Sequence, residues 1–184
     1  NIRALSYQLY ENNGVIKREE VINYLDKLSQ EERKILRNIG VKFGRYHIYL
    51  HKLLKPEAVS LRLNLWKNFN QKYFDFKPPK FGLNFFETKE NLNKKFMLIC
   101  GFEKFDNFYV RIDILERLFI QIINSNNEKK KDILLIPEML NLLGCSKDNF
   151  IKLIKKMNYK STEKENKIYF RYFPTKNKDY NNNS

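Results

Sequence analysis

The chain has 184 residues and a mass of 22.4 kDa, room for one ordinary domain or two small ones and too little for a complete multidomain machine. Hydrophobic residues at 42% and charged residues at 30% exclude the composition of a disordered chain, and the longest apolar runs, Phe96 to Cys100 and Ile133 to Ile136, fall far short of a ~20-residue membrane span. Lys and Arg number 35 against 21 Asp and Glu, a net charge of +14 that fits a nucleic-acid partner and equally fits the Lys-, Asn-, Ile-, Phe- and Tyr-rich output of AT-rich codons.

The distribution of charge says more than its total. From Phe150 to Lys178 there are nine Lys or Arg against two acids, Glu163 and Glu165, an electrostatic footprint on one stretch of chain. Two cysteines, Cys100 and Cys145, allow at most one disulfide and fit a reducing cytosol. A start at Asn1 without a signal-peptide pattern reads as a segment of a longer protein.

In chain order, Leu5 and Leu9 mark a helix ended by Gly14, and Val21, Ile22, Leu25 and Leu28 recur at helical spacing. Ser29 with Glu32 makes a capping box for a third helix with Ile35, Leu36 and Ile39 inward and Gly40 as its stop. Val41 to Leu50 alternates around Gly44 and Arg45 as a short hairpin. Pro56 opens a helix with Val59, Leu63 and Trp66 on one face and Leu61, Leu65 and Phe69 beside it, an apolar arc wide enough to expect central burial. Residues 70 to 86, with Pro78, Pro79 and Gly82 among aromatics, read as a boundary. Thr88 then caps a helix through Leu92, Phe96 and Ile99, and Phe102 to Phe105 and Phe108 to Ile112 flank Asp106 and Asn107 as a hairpin.

Asp113 and Glu116 have capping-box spacing ahead of a helix with Leu115, Leu118, Phe119 and Ile122 inward. A polar loop, the apolar run Ile133 to Ile136, a helix from Pro137 to Gly144, and a helix capped by Ser146 with Phe150, Leu153, Ile154 and Met157 inward follow. A hairpin ends the series, its second strand running from Ile168 to Phe173 and its tip between Glu163 and Lys167. Helix, strand, helix, turn, helix, hairpin is the order of a winged helix-turn-helix, expected to hold Leu118, Leu143, Leu153 and Ile154 in one core. The fold class is therefore α+β: a mostly helical front portion with a short β-hairpin over 1–76, an irregular aromatic connector with a helix and short strands over 77–112, a winged-helix-like unit over 113–173, and a disordered tail over 174–184. No internal repeat is visible.

The six glycines form no phosphate loop, so no nucleotide motor or catalytic set resides in the chain. His47 and His51 are four apart, but the strand-like pattern around them and the absence of a nearby Cys or acid favour surface histidines over a metal pair. Cys145 sits at a helix N-terminus, where a thiolate would be favoured, with no histidine beside it in sequence. The nucleic-acid candidates are Lys147, Lys152, Lys155 and Lys156 for phosphates, with Asn149 for a base edge or sugar. On the hairpin they are Lys160, Lys164 and Lys167, with Tyr169 for stacking and Arg171.

Two stretches resemble a known family. Gly40-Val41-Lys42-Phe43-Gly44-Arg45-Tyr46, then Leu53-Leu54-Lys55-Pro56-Glu57-Ala58, Leu61-Arg62 and Leu65-Trp66, is similar to a block in the C-terminal accessory region of alphaproteobacterial superfamily-two helicases related to the mitochondrial degradosome RNA helicase. Val110-Arg111-Ile112-Asp113-Ile114-Leu115-Glu116-Arg117-Leu118 and Pro137-Glu138-Met139-Leu140-Asn141-Leu142-Leu143-Gly144-Cys145 resemble two further blocks in the same order. The pair His51-Lys52 departs from a proline-containing pair in the family and bears only on the local turn. The resemblance implies a parent protein that uses ATP and Mg2+ in a motor upstream of Asn1 to unwind RNA or an RNA-DNA duplex. It implies no catalytic residue and no cofactor in this chain, and no membrane. Its partners would be RNA or single-stranded nucleic acid and the motor of the same polypeptide; the cysteine content points to the cytoplasm, and a ribonuclease is the partner expected of a protein-interaction platform. A free-standing winged-helix DNA-binding regulator and a protein-interaction platform are the alternatives.

Overall fold

The computed structural model describes residues 1–125 and 132–173. These form an α+β chain of eight α-helices and three three-stranded antiparallel sheets. It divides into two compact units, Asn1–Ile120 and Gln121–Ser184, each described by itself below. The expected disordered tail and residues 126–131 of the polar loop lie outside the described residues.

The first unit opens with α1 (Ile2–Glu11), β1 (Val15–Lys17), α2 (Ile22–Leu25), α3 (Gln30–Asn38), β2 (Val41–Phe43) and β3 (His47–Leu50). The spacing of Leu5 and Leu9 turns both inward, where they meet Leu25, Leu36, Val41 and Ile48 in one core. Ser29 and Glu32 close both bonds of the expected capping box. Two expectations need correction. Residues 15 to 17, left unassigned between the first two expected helices, form a strand, and β3 lies between β1 and β2 in the sheet, so the expected two-stranded hairpin is part of a three-stranded sheet. Of the expected α3 face only Leu36 is buried, while Ile35 and Ile39 are 54% and 62% exposed.

Pro56 occupies the first position of α4 (Pro56–Phe69), which buries Val59, Leu63 and Trp66. The neighbouring stripe does not follow: Leu61, Leu65 and Phe69 are all exposed, Phe69 at 88%, so α4 is covered on one side only. Residues 70 to 86 run within the first unit. They lead into β4 (Phe85–Glu87), a strand that period-two patterning misses because it is only three residues long. Asn93, not Thr88, caps α5 (Lys94–Ile99), its side chain accepting from the Phe96 N–H at 2.9 Å. The next hairpin, β5 (Phe102–Phe105) and β6 (Phe108–Arg111), turns at Asp106 and Asn107 as expected, and β6 is the central strand of a sheet ordered β4, β6, β5. The helix α6 (Ile112–Ser125) follows, and the division between the units falls within it. Leu118 lies in the first unit and Leu143 in the second.

The second unit carries β7 (Ile133–Leu134), α7 (Pro137–Leu143), α8 (Lys147–Lys156), β8 (Tyr159–Lys164) and β9 (Lys167–Tyr172). Gly144 ends α7 in the left-handed conformation at φ 67°, and Ser146 caps α8. Met139, Leu143, Phe150, Leu153, Ile154 and Phe170 are buried. The sheet is ordered β7, β9, β8, so all three sheets share one topology: a lone strand pairs with the second strand of a following hairpin.

The burial contrast on α3 gives a direct check. Leu36→Ala should destabilise the chain by ~2 to 5 kcal/mol, and Ile35→Ala, one residue away, should stay within ~0.5 kcal/mol. Urea unfolding followed by circular dichroism measures both, and equal losses would place Ile35 in the core.

Candidate nucleic-acid interface and the buried charge cluster

In the second unit, burial of Phe150, Leu153 and Ile154 fixes the inward side of α8 and leaves Lys147, Lys152, Lys155 and Lys156 exposed. Asn149 is half-buried, its backbone N–H donating to the Ser146 hydroxyl at 3.2 Å, and Asp148 stands in the first turn among the lysines. On β9, Ile168 and Phe170 are buried, so Tyr169 and Arg171 face the other side of the sheet. Lys160, Lys164 and Lys167 are exposed.

These ten residues are not equivalent. Arg171 Nε donates to Asp132 Oδ1 at 2.7 Å, and Lys164 Nζ lies 3.8 Å from Asp132 Oδ2. Lys160 Nζ stands 4.7 Å from the centre of the Phe173 ring. Three hairpin cations are thus engaged within the chain, as Lys156 of α8 also is, and Lys147, Lys152 and Lys155 are exposed on α8. A sequence pattern could not reveal the pairing with Asp132, which lies 39 residues from Arg171.

The first unit holds a site that sequence reading placed wrongly. His47 is not a surface histidine but 1% exposed. Its Nε2 lies 2.6 Å from Glu103 Oε2 on β5, and its Nδ1 lies 3.3 Å from Glu116 Oε1 on α6. Glu116 does not reach back to Asp113 as a capping box. Instead its carboxylate accepts the backbone N–H groups of Arg45, Tyr46 and His47 at the hairpin turn. A Cβ on Gly44 would stand 2.4 Å from Glu116 Cδ, so only glycine lets the carboxylate approach the turn this closely. Lys17 Nζ on β1 adds a contact to Glu103 at 3.7 Å. His51 is exposed.

Burial alone would lower the His47 pKa, but hydrogen bonds to Glu103 and Glu116 outweigh it and the net shift is upward. Burial likewise works to raise Glu103, and the bond to His47 with the charges of His47, Lys17 and Lys94 overcomes it, holding the carboxyl below its ordinary range. In the protonated imidazole both ring nitrogens donate, each to its own carboxylate. Acids on opposite edges of a ring share no point where a cation could sit, and no metal-holding group of His, Cys, Asp or Glu occurs among the described residues. Burial pushes the Cys145 thiol up to about 11, which removes the thiolate expected at that helix start. Among the described residues no helix is long and apolar enough to cross a membrane.

Comparison of the chain with protein-family models, curated proteins and solved structures found no match in any of the three.

The cluster sets a pH profile. The raised His47 pKa contributes stability that is complete below its ordinary 6.5 and is lost as pH rises through the folded value. The lowered Glu103 pKa contributes stability that is complete above its ordinary 4.5 and is lost as pH falls through the folded value. Both contributions are whole between these limits, so urea midpoints should peak there and decline on the alkaline side. His47→Gln should lose ~3 to 5 kcal/mol near pH 5.5, because it strands two buried carboxylates, and should flatten the alkaline decline. A wild-type midpoint still rising at pH 9 would contradict the assignment.

Proposed function

We propose that the chain is a non-catalytic accessory segment that holds the backbone of single-stranded nucleic acid through α8 and the β8–β9 hairpin. Following the resemblance in its sequence, we assign it to an ATP-dependent RNA helicase whose motor lies elsewhere in the polypeptide. The second unit is read as a winged helix-turn-helix without its own chemistry.

The observation that carries this reading is the contrast between α3 and α8, each the helix that precedes the hairpin of its sheet, a place that α5 takes in the second sheet. The first turn of α3 contains Glu31 and Glu32, and its arginines are spent internally: Arg33 donates to the Leu25 carbonyl, and Arg33 and Arg37 lie 5.8 and 5.4 Å from the centre of the Phe43 ring. On α8 the cations are lysines that face outward. Lysine meets phosphate as a point charge and carries little base information, which favours backbone guidance over a sequence-reading regulator. The exposed stripe Leu61, Leu65 and Phe69 on α4 supports a second role, bracing against protein, for the first unit.

Neutralising Lys152, Lys155 and Lys156 to Gln should lower the slope of log affinity against log salt for single-stranded RNA by ~0.7 per residue. Lys89, Lys94 and Lys95, equally exposed in the first unit, form the control and should leave the slope within error. Fluorescence anisotropy over a salt series measures both, and equal losses would mark a diffuse cationic surface. The purified chain should also show no ATP turnover, with or without RNA.

A further inference from the structure

Residues 71–83 join α4 to β4. Phe74 and Phe81 are 67% and 55% exposed, and Lys72, Lys77 and Lys80 stand exposed around them with Asp75 as the one acid. The stretch is tied down. Lys67 of α4 donates from Nζ to the Phe74 carbonyl at 2.9 Å and to the Phe76 carbonyl at 2.6 Å. Tyr73 stacks on Trp66 with ring centres 5.1 Å apart and meets Phe76 edge to face at 5.0 Å, and Phe76 packs against Phe96 at 5.5 Å. Short turns add to this, the Phe74 N–H donating to the Gln71 carbonyl and the Phe76 N–H to the Tyr73 carbonyl. Tyr73 and Phe76 are therefore anchored against α4 and α5, and Phe74 between them is held out in water.

Each of the two exposed rings has a lysine within three residues of it. Three cations against one anion complement a negatively charged partner. The interleaving narrows which one. Lysine is depleted where proteins bury surface against each other, yet here lysines stand among the rings. A segment that lies on a membrane separates its basic and apolar residues onto two faces of a helix. This stretch has one short 3-10 turn, Gln71–Tyr73, followed by Pro78 and Pro79, and its rings and lysines alternate. A single strand presents a flat apolar base and a negative phosphate at every nucleotide, the alternation that exposed rings between lysines complement.

We propose that residues 72–81 bind single-stranded nucleic acid by stacking bases on Phe74 and Phe81, with Lys72, Lys77 and Lys80 against the adjoining phosphates. The proposal rests on the nucleic-acid reading given above and adds to it a second site, in the first unit, that holds bases where α8 holds backbone. Phenyl rings have no hydrogen-bonding group, so the site accepts any base and reads no sequence.

Fluorescence anisotropy of the whole chain with labelled oligoadenylate, and with an abasic strand of equal length and charge, tests it. The measurement is made in the wild-type chain and in one with Lys152, Lys155 and Lys156 changed to Gln. Phe74→Leu keeps an apolar side chain and removes the flat face. In the second background it should weaken oligoadenylate at least about fivefold and leave the abasic strand unchanged, and Phe74→Tyr should keep the wild-type affinity. If the three Gln substitutions alone change nothing while Phe74→Leu still costs about fivefold, this site stands and the α8 assignment fails. No effect of Phe74→Leu on oligoadenylate in either background, or an equal loss on both strands, would overturn the proposal. So would sedimentation with phosphatidylglycerol vesicles that is abolished by changing Lys72, Lys77 and Lys80 to Gln while oligoadenylate affinity stays the same, because the occupant would then be an anionic membrane.

Discussion

The first unit depends on one buried imidazole held between two carboxylates. His47, Glu103 and Glu116 come from β3, β5 and α6, far apart in sequence and brought within hydrogen-bond distance in the fold. Removing these charges from water is expensive, and it is offset only because each acceptor is also used by other donors. Glu116 takes three backbone N–H groups from the hairpin turn, and Glu103 takes Lys17 as a further cation. The requirement propagates to Gly44, where any side chain would displace the carboxylate. A hydrophobic contact at the same place would tolerate sliding. This cluster fixes the position of the first sheet against β5 and against the start of α6.

The elements were legible in the sequence where one local rule decided them. Ser29 with Glu32, Pro56 at a helix start, Gly144 at a helix end and Ser146 as a cap each act within one turn of chain, and each stands where the pattern put it. The misses share a different cause. β1 and β4 are three-residue strands defined by their pairing with β3 and β6, and no alternation can show in so short a run. His47 lacked an acid nearby in sequence because its acids lie 56 and 69 residues away. Apolar spacing on α3 and α4 identified helices correctly but overstated burial, since Ile35, Leu61 and Leu65 lie beside the true inward face without being covered.

The shared topology of the three sheets was also invisible in the sequence. A lone strand added to the second strand of a later hairpin is a pattern of backbone bonds, and different side chains satisfy it: Ile16 faces Ile48 in the first sheet, Phe85 faces Val110 in the second and Ile133 faces Phe170 in the third. With the scaffold shared, the surface is free to diverge. The helix before the first hairpin uses its arginines to clasp Phe43 and the Leu25 carbonyl, and the helix before the last hairpin presents lysines outward. On our proposal this divergence separates a bracing unit from a nucleic-acid-holding one.

Ultraviolet crosslinking of the whole chain to a uridine-rich single strand, with the joined peptides mapped by mass spectrometry, tests that assignment most directly. The account predicts crosslinks in α8 and the β8–β9 hairpin, with Tyr169 as the stacked contact. Crosslinks confined to α1 through α3, or none above those of a neutral control protein, would contradict it.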